Sequence, residues 1–276
     1  MAGKRNPLLG KTVVVTGAAS GIGRALAVRL SRAGSPVAIA DADGEGLSET
    51  ESLLAGPVLA RELDVSDRQS MLAFAAAAAE WTPAPLGAVI NNAGVATSQP
   101  FADAAVEDDE WVMNVNYGGV VNGSHAFLPL LLGQGSGTLV NVSSVFGLFG
   151  FPNHTAYCAS KHAVRGFTEA LRAELRGSGV AAAVVHPGGV KTNIVANSRF
   201  HVDDAGNRDR DVAAERFAAL ARTTPEKAAR IIHRGIERGD PRIRIGADAV
   251  ALDLMVRVAP VRYADLIEWF VRRTAR

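Results

Sequence analysis

The sequence predicts an α/β fold, a doubly wound parallel sheet of about seven strands with helices on both faces and a C-terminal helical extension. Two observations predict it. Short apolar runs rich in β-branched residues recur along the chain, and longer segments with helical periodicity lie between them. Such alternation favours parallel strands that are covered on both sides by their connecting helices. A third observation, that no Gly/Ser/Pro-rich linker divides the chain, favours a single domain.

Five of the expected strands can be placed directly on the sequence. Each is a short run dominated by valine, isoleucine and alanine, as expected for a strand buried on both faces. The runs occupy residues 11–17, 36–41, 87–92, 137–144 and 180–187. Another strand is expected just before Asp64.

Two of the expected helices can also be placed directly on the sequence. Ile22, Leu26 and Leu30 repeat every fourth residue, and Gly34 follows as a stop signal. Residues 69–81 are rich in alanine, the residue with the highest helix propensity. Both segments are therefore expected to pack as helices against the sheet.

The domain prediction divides the 276 residues into functional parts rather than folding units. Residues 8–195 form the expected core, and residues 196–224 form a substrate loop whose first part, 196–211, is polar and expected to be mobile. Residues 247–276 form the extension, which Pro260 divides into two helices.

Composition excludes several classes of protein. Hydrophobic residues make up 48% and charged residues 21%, and the net charge of +1 gives no electrostatic reason to expect a nucleic-acid partner. The single cysteine, Cys158, excludes an intrachain disulfide, which is typical of a cytoplasmic protein. We expect no signal peptide and no transmembrane segment. The six histidines show no ligand spacing, so no metal is expected.

A glycine-rich loop follows the first strand and opens the first helix, in residues 13–27. Gly17, Gly21 and Gly23 lack the β-carbons that would keep a pyrophosphate away, and the helix start offers N–H groups to an anion. The spacing differs from the common G-x-G-x-x-G, and a tight turn is the alternative. The position between strand and helix favours nucleotide binding.

Asp41 ends the second strand. A carboxylate there would accept hydrogen bonds from ribose hydroxyls and repel a 2′-phosphate, which favours NAD over NADP. No basic residue lies beside it, and Ser20 rather than a base precedes Gly21. The alternative is that Asp41 only caps the following helix.

Two further strand ends carry candidate coenzyme contacts. Asp64 is placed to meet the adenine amino group, or else is a turn residue. Residues 91–94, Asn-Asn-Ala-Gly, are small enough to let the backbone run beside a coenzyme, with a plain turn as the alternative.

Tyr157 and Lys161 lie one helical turn apart, after a strand that ends at Ser144. A nearby ammonium lowers the pKa of a phenol, and a cationic nicotinamide would lower it further, so that Tyr157 could exchange a proton near neutral pH. The Ser144 hydroxyl would orient a substrate oxygen. The alternative is that Tyr157 and Lys161 are an ordinary surface pair on a helix. The glycine loop, Asp41 and Ser144 make that alternative the weaker interpretation.

Taken together, these pieces resemble the short-chain dehydrogenase/reductase family, whose fold is of the Rossmann type. The matching motifs appear in family order between residue 10 and about 195, and as a set they are highly specific. They are TGAASGIG (16–23), DVSD (64–67), NNAG (91–94), VNYGG (115–119), VNVSS (140–144), YCASK (157–161) and PGGVKTN (187–193).

The resemblance implies an NAD(P)-dependent oxidoreductase with a catalytic tetrad of Ser144, Tyr157, Lys161 and Asn116, where Asn114 competes for the last role. It implies that Tyr157 takes the alcohol proton while a hydride moves to the nicotinamide, and that a homodimer or homotetramer forms. The cofactor-binding residues that it implies, together with those above, are Gly17, Ser20, Gly21, Ile22, Gly23, Asp41, Asp64, Val65, Asn92, Ala93, Gly94, Tyr157, Lys161, Pro187, Gly188, Val190 and Thr192.

The substrate is expected to be a small hydrophobic alcohol or ketone, such as a steroid, retinoid or long-chain alcohol. Phe146, Phe149 and Phe151 provide an apolar wall near Ser144 and Tyr157, and the extended C-terminus resembles retinol and hydroxysteroid dehydrogenases. The arginine-rich tail is interpreted as a solvated helix face, with peripheral membrane contact as the alternative. The competing functions are a non-catalytic dinucleotide sensor and an NADP-dependent carbonyl reductase.

Overall fold

A computed structural model describes residues 7–202 and 206–265 of the chain. Seven parallel strands form one sheet in the order β3-β2-β1-β4-β6-β7-β9. These strands are β1 (Thr12–Thr16), β2 (Val37–Asp41), β3 (Val58–Glu62), β4 (Leu86–Asn91), β6 (Gly137–Val142), β7 (Val180–Pro187) and β9 (Arg242–Ile245). The predicted doubly wound sheet is confirmed.

Helices cover both faces of this sheet. They are α1 (Gly21–Arg32), α2 (Gly44–Ser52), α3 (Arg68–Trp81), α4 (Val106–Met113), α5 (Gly119–Gln134), α6 (Thr155–Glu174), α7 (Arg210–Leu220), α8 (Pro225–Arg238) and α9 (Ala247–Val258). Valines on alternating positions of β1 face opposite layers, since Val13 and Val15 pack with α1 and α8, and Val14 packs with α3 and α5. This is the burial on both faces that continuous apolar strands predict.

The predicted loop at 196–224 is more structured than its polar sequence indicates. Residues Arg199–Phe200 form a short strand, β8, which pairs in parallel with β5 at Thr97–Ser98, and residues 210–220 form α7. The prediction of an irregular loop over 196–211 is therefore wrong for Arg199–Phe200, whose backbone pairs with β5, and the mobility of the segment stays a prediction.

The first helix of the predicted extension is α9, which ends two residues before Pro260. Helical residues resume at Tyr263, and the rest of the second predicted helix lies outside the described residues. Proline at position 260 explains the interruption, since it donates no backbone hydrogen bond.

Candidate active site

The glycine loop between β1 and α1 is closely packed. Gly17 has φ +67°, and a Cβ there would lie 2.6 Å from Cα of Ala93. A Cβ on Gly23 would lie 1.9 Å from the carbonyl oxygen of Gly17. Ser20 caps α1 without a side-chain hydrogen bond, so the helix start has no capping group of its own. The loop therefore has the form of an anion site at a helix N-terminus.

The Asp41 carboxylate touches this loop. Its Oδ2 accepts a hydrogen bond from the Ala19 backbone N–H at 2.8 Å, and Oδ1 accepts from the N–H of Asp43 at 3.1 Å. Asp43, not Asp41, caps α2, with its side chain accepting from Gly46 N. The capping alternative for Asp41 is thus removed, and its half-buried carboxylate stands beside the first glycines of the loop.

Arg24 is a neighbour that the sequence reasoning missed. Its guanidinium donates to the carbonyl oxygen of Ala19, to Thr50 Oγ1 at 2.9 Å and to Glu49 Oε2 at 2.8 Å. These contacts hold a basic group near the Asp41 end of the loop and pair its charge with a carboxylate. The sequence signal was a basic residue directly after the last loop glycine.

The turn at 91–94 is fixed to the end of β1. Thr16 Oγ1 accepts from the backbone N–H of Asn92 at 3.0 Å and of Ala93 at 3.2 Å. The Asn92 side chain in turn donates to the carbonyl oxygens of Thr16 and Gly17 at 3.0 and 3.1 Å. Thr16, which the sequence reasoning left without a role, therefore joins the glycine loop to this turn.

Gly94 marks where this turn meets the catalytic candidates. A Cβ on Gly94 would lie 3.0 Å from Oδ1 of Asn116 and 3.1 Å from Nζ of Lys161. A side chain at this position would require both polar groups to shift by a few tenths of an ångström, so glycine lets them approach the backbone without displacement.

Asp64 and Val65 lie at the far edge of the same region. Asp64 is exposed, and its Oδ1 accepts from the Ser66 N–H at 2.8 Å in a local turn. Val65 is buried against Gly119, and its carbonyl oxygen accepts from the Asn122 side chain at 3.0 Å. One oxygen of Asp64 is thus used in a local turn, as the alternative interpretation predicted. The contact of Asp64 with adenine stays a prediction.

The segment after β7 faces the glycine loop. The Thr192 methyl carbon Cγ2 lies 3.1 Å from the position of a Cβ on Gly21. Val190 is buried and forms an isolated bridge with Thr223. The two predicted coenzyme segments, after β1 and after β7, therefore meet across the carboxyl edge of the sheet, the usual place for ligands in this fold class.

Asp248, in the first turn of α9, anchors that segment. Its Oδ2 accepts a hydrogen bond from the Gly189 N–H at 2.7 Å. A Cβ on Gly188 would lie 2.1 Å from the same oxygen, so the contact requires glycine. Pro187, the last residue of β7, directs the chain into this turn. No local pattern indicates a role for Asp248, because it lies 59 positions from its partner.

The structure brings Ser144, Tyr157 and Lys161 together. Ser144 follows β6, its Oγ accepts a hydrogen bond from the Phe146 N–H at 3.2 Å, and its hydroxyl is near enough to that of Tyr157 to lower the pKa of the phenol. Lys161 lies one turn beyond Tyr157 on the same helix, with Nζ 5.6 Å from the ring centroid. All three side chains are buried, and Lys161 Nζ donates to the carbonyl oxygen of Val142 at 3.2 Å.

Burial determines the pKa values of this pair. It raises the pKa of the Tyr157 hydroxyl to about 12, although the nearby Ser144 hydroxyl lowers it in part. It also lowers the pKa of the Lys161 ammonium to about 8. The predicted lowering of the Tyr157 pKa by Lys161 is therefore wrong for the protein alone, because loss of water outweighs the attraction of an ammonium directed at Val142.

Asn116 lies in a five-residue π-helical stretch, Asn114–Gly118, between α4 and α5. It is fully buried, with Oδ1 accepting from the Val95 N–H at 2.8 Å and Nδ2 donating to Ser160 Oγ at 3.0 Å. Asn114 is exposed. The structure thus places Asn116, and not Asn114, beside Lys161, and the π-helical turn directs its side chain inward.

The three phenylalanines of the predicted wall contact one another. Phe146 packs edge-on against Tyr157 with ring centroids 5.9 Å apart, and it stacks on Phe151 at 5.0 Å. Phe149 packs edge-on against Phe146 at 5.5 Å and against Tyr263 at 6.2 Å, and it is 4% exposed. Residues of α9 share the apolar cluster of Phe149, and its predicted role in the substrate site stays a prediction.

His186, on β7, supports Ser144 from behind. It is fully buried, and its Nδ1 hydrogen-bonds to the Ser144 carbonyl oxygen at 2.9 Å. Burial lowers the pKa of the imidazole to about 4, so the ring is neutral at pH 7 and Nδ1 carries the donated proton. The sequence reasoning gave this histidine no role beyond excluding a metal.

Side chains hold the start of the substrate loop against α4. Asp108 receives hydrogen bonds from Arg199 and His201, both at 2.9 Å, and the Arg199 guanidinium lies 4.1 Å from the Trp111 ring centroid. Burial alone would raise the pKa of Asp108, yet the two hydrogen bonds hold it below its ordinary value. The loop is therefore closed over the residues after β4 by charge and by an aromatic contact.

Comparison with known proteins agrees with this geometry. A family model described as short chain dehydrogenase matches residues 11–202, and the chain belongs to that family. The chain is 40% identical to SadH of Mycobacterium tuberculosis over 264 residues, which is 94% of each protein. The predicted enzyme class, an NAD(P)-dependent oxidoreductase, is confirmed.

Two solved structures bear on the coenzyme. A short-chain dehydrogenase/reductase from Burkholderia phymatum in complex with NAD superposes with a TM-score of 0.80, at 30% identity, over 95% of this chain and 96% of that one. A short-chain dehydrogenase from Burkholderia cenocepacia in complex with NADP gives 0.75 at 25% identity, over 92% and 95%. The likeness therefore does not distinguish NAD from NADP for this chain.

Two features are absent from the described residues. No helix within 7–202 and 206–265 has the length and apolar character needed to cross a bilayer. Within the same ranges, no three His, Cys, Asp or Glu side chains are grouped as a metal ion requires.

Proposed function

We propose that the protein is an NAD-dependent dehydrogenase of hydrophobic secondary alcohols or ketones, with Tyr157 as the general acid/base. The observation that carries the proposal is the placement of the Tyr157 hydroxyl. The hydroxyl lies near that of Ser144, Lys161 follows one helical turn later, and the Tyr157 ring packs against Phe146. A proton-transfer group is thereby combined with an oxygen-binding hydroxyl and an apolar wall.

The residues present fit a dinucleotide. The uncapped start of α1 and the glycines that admit no Cβ suit a pyrophosphate, and Gly94 leaves space beside Lys161. When bound, the coenzyme supplies the nicotinamide that exchanges a hydride with the substrate carbon. The segment from Pro187 to Thr192, held by Asp248, faces the glycine loop from the other side.

Asp41 supports NAD over NADP. Its carboxylate stands at the loop where the adenosine ribose of a dinucleotide lies in this fold class, and a phosphate there would meet a negative charge. Arg24, which hydrogen-bonds to the Ala19 carbonyl at this end of the loop, is already paired with Glu49. A phosphate would have to compete for that guanidinium while also facing Asp41.

Each side chain then has a defined task. The Tyr157 Oη gives a proton to the carbonyl oxygen in reduction, or takes it from the alcohol in oxidation. The Ser144 Oγ hydrogen-bonds the same substrate oxygen and is held in place by His186 through the Ser144 backbone. The Lys161 ammonium favours the phenolate form of Tyr157, and Asn116 fixes the turn at Val95 against which the substrate would lie.

Because burial gives Tyr157 a pKa of about 12, the hydroxyl is protonated at neutral pH in the protein alone. That state serves directly as a proton donor to a ketone. Oxidation of an alcohol requires the phenolate, and we expect the positive charge of an oxidised nicotinamide to bring the pKa down.

A direct spectrophotometric assay tests the function. Purified protein is incubated with NAD⁺ or NADP⁺ and a series of secondary alcohols of increasing hydrophobicity, and with the reduced coenzymes and matching ketones, while absorbance at 340 nm is recorded. We expect turnover with NAD(H) and a rise of kcat/KM along the series. A preference for NADPH would favour the carbonyl reductase alternative, and coenzyme binding without turnover would favour a sensor.

A further inference from the structure

Asp41 and Arg24 bind opposite ends of one residue of the glycine loop. The Ala19 N–H donates to Oδ2 of Asp41 at 2.8 Å, and the Ala19 carbonyl oxygen accepts a hydrogen bond from Nη2 of Arg24. Ala19 is therefore held between a carboxylate and a guanidinium. Because Asp41 marks the ribose end of the proposed coenzyme site, the positive charge of Arg24 also lies at that end.

Helix α2 holds the Arg24 guanidinium in this position. Nε donates to Thr50 Oγ1 at 2.9 Å, and Nη2 donates to the Gly46 carbonyl oxygen at 3.1 Å and to Glu49 Oε2 at 2.8 Å. Among the residues that the structure describes, these bonds use Nε and Nη2 and leave the N–H groups of Nη1 without an acceptor. The other acceptors are neutral oxygens, so it is Glu49 that offsets the charge of the guanidinium.

The charges at this end of the loop determine how a 2′-phosphate would be received. Asp41 pairs in register with Glu62 on β3, and the Glu62 carboxylate lies against Gly44 at the start of α2. A phosphate monoester brings close to two negative charges, which these carboxylates repel. The Nη1 donors of Arg24 could attract it, but Glu49 reduces the net charge of that group.

We infer that Glu49 is a positioning residue for coenzyme specificity, which holds and neutralises Arg24 so that the site disfavours the 2′-phosphate of NADP. Asp41 repels that phosphate directly, whereas Glu49 acts through Arg24. The inference rests on the proposed preference for NAD and names a second residue that sets it. The Arg24 and Glu49 side chains are 30% and 61% exposed, so water screens the pair and the expected effect is a few-fold.

Coenzyme binding without turnover tests this role. The dissociation constants of NAD⁺ and NADP⁺, which differ only in the 2′-phosphate, are measured by isothermal titration calorimetry in the absence of substrate. We expect Glu49→Gln to lower Kd for NADP⁺ by about fivefold and to leave Kd for NAD⁺ within about twofold of the wild type. The gain is expected to shrink in 0.5 M salt (roughly a 4 Å Debye length), because salt screens the attraction between Arg24 and the phosphate.

Three further variants separate this role from other effects of the substitution. Glu51→Gln removes the same charge from another exposed position of α2, which points away from Glu49, and should leave Kd for NADP⁺ near the wild-type value. Glu49→Asp keeps the carboxylate and should preserve most of the discrimination. In the Arg24→Gln background, Glu49→Gln should no longer improve NADP⁺ binding, because the guanidinium through which it acts is absent. Melting temperatures verify that each variant folds.

Three results would overturn the inference. One is an unchanged Kd for NADP⁺ in Glu49→Gln. Another is a gain that Glu51→Gln reproduces or that persists without Arg24, which would assign it to general loss of negative charge. The third is an equal loss of affinity for both coenzymes in Glu49→Gln, which would make Glu49 a structural residue only. A wild-type protein that binds NADP⁺ more tightly than NAD⁺ would instead contradict the proposed coenzyme preference itself.

Discussion

The two sides of the active site are held in different ways. On the coenzyme side, each contact has a backbone group as at least one partner, as where Thr16 Oγ1 accepts from the Asn92 N–H and where Gly23 packs on the Gly17 carbonyl. On the substrate side, side chains make the contacts, as in the stacking of Phe146 on Phe151 and the pairing of Arg199 with Asp108.

This difference shows which part of the site tolerates change. A loop packed so closely that it excludes a single Cβ accepts few residue types at those positions. Its residues therefore form a recognisable sequence motif. A wall of aromatic rings and an ion pair can be rebuilt with other side chains of similar volume. We therefore expect replacement of a glycine of this loop to affect coenzyme binding and folding together, and substitutions on the substrate side to affect substrate binding alone.

Tyr157→Phe, at the boundary of the two sides, has the largest expected effect. It removes the hydroxyl and leaves the ring that packs on Phe146. We expect kcat to fall by about a thousandfold or more, with the Kd for NAD⁺ within about twofold of the wild type. Steady-state kinetics and fluorescence titration measure the two quantities. A variant that keeps more than about a tenth of wild-type kcat would show that Tyr157 does not transfer the proton.

Gly23→Ala tests the backbone character of the coenzyme side. The new methyl group would lie 1.9 Å from the Gly17 carbonyl oxygen, so the loop must move. We expect NAD⁺ binding to weaken by about a hundredfold and the free energy of unfolding to fall by about 2 kcal/mol. Gly133→Ala, in α5 with open space around it, is the matched control and should change neither by much. Equal behaviour of the two variants would contradict a tight cradle.

Asp41→Asn separates charge from shape at the ribose end. The amide keeps an acceptor for the Ala19 N–H and loses the negative charge that would repel a 2′-phosphate. We expect the ratio of kcat/KM for NAD⁺ to that for NADP⁺ to fall by about tenfold, with little change in melting temperature. An unchanged ratio would mean that the charge of Asp41 does not set the preference.

Arg199→Gln, on the substrate side, has a smaller effect. It breaks the ion pair with Asp108 and the contact with Trp111, so the start of the substrate loop is held less firmly. We expect KM for a bulky alcohol to rise by about fivefold while NAD⁺ affinity stays constant. Arg210→Gln is the control, because Arg210 is an exposed arginine in the same 196–224 segment. If both variants raise KM by the same factor, the rise is due to the general loss of positive charge and not to the contact of Arg199 with Asp108 and Trp111.

The sequence predicted the parts of the molecule that depend on local pattern. Strand runs and the glycine loop follow from residue types within a few positions of one another, and the structure places them as expected. The Asp108–Arg199 pair joins residues 91 positions apart, and the Asp248–Gly189 contact joins residues 59 apart. Such contacts exist only after the chain has folded, and no local pattern indicates them.

The same limit explains one contact that could not be foreseen and one error. Phe149 lies three positions from Phe146 in sequence, and only the position of α9 brings it into an apolar cluster with Ala249. Lys161 is close to Tyr157 in sequence, but the effect of burial on the Tyr157 pKa depends on everything packed around the phenol. Spacing identifies which charges are near, whereas the tertiary structure determines how much water remains.

The central claim is that Tyr157 becomes an effective proton acceptor only with oxidised coenzyme. It is tested most directly by ultraviolet titration of tyrosinate in the wild type and in Tyr157→Phe, each with and without NAD⁺. The difference between the two proteins isolates Tyr157 from Tyr117 and Tyr263, the other two tyrosines. We predict a pKa of about 12 in the protein alone and a value below the ordinary 10 with NAD⁺ bound. A Tyr157 pKa that stays near 12 with NAD⁺ bound would contradict the account.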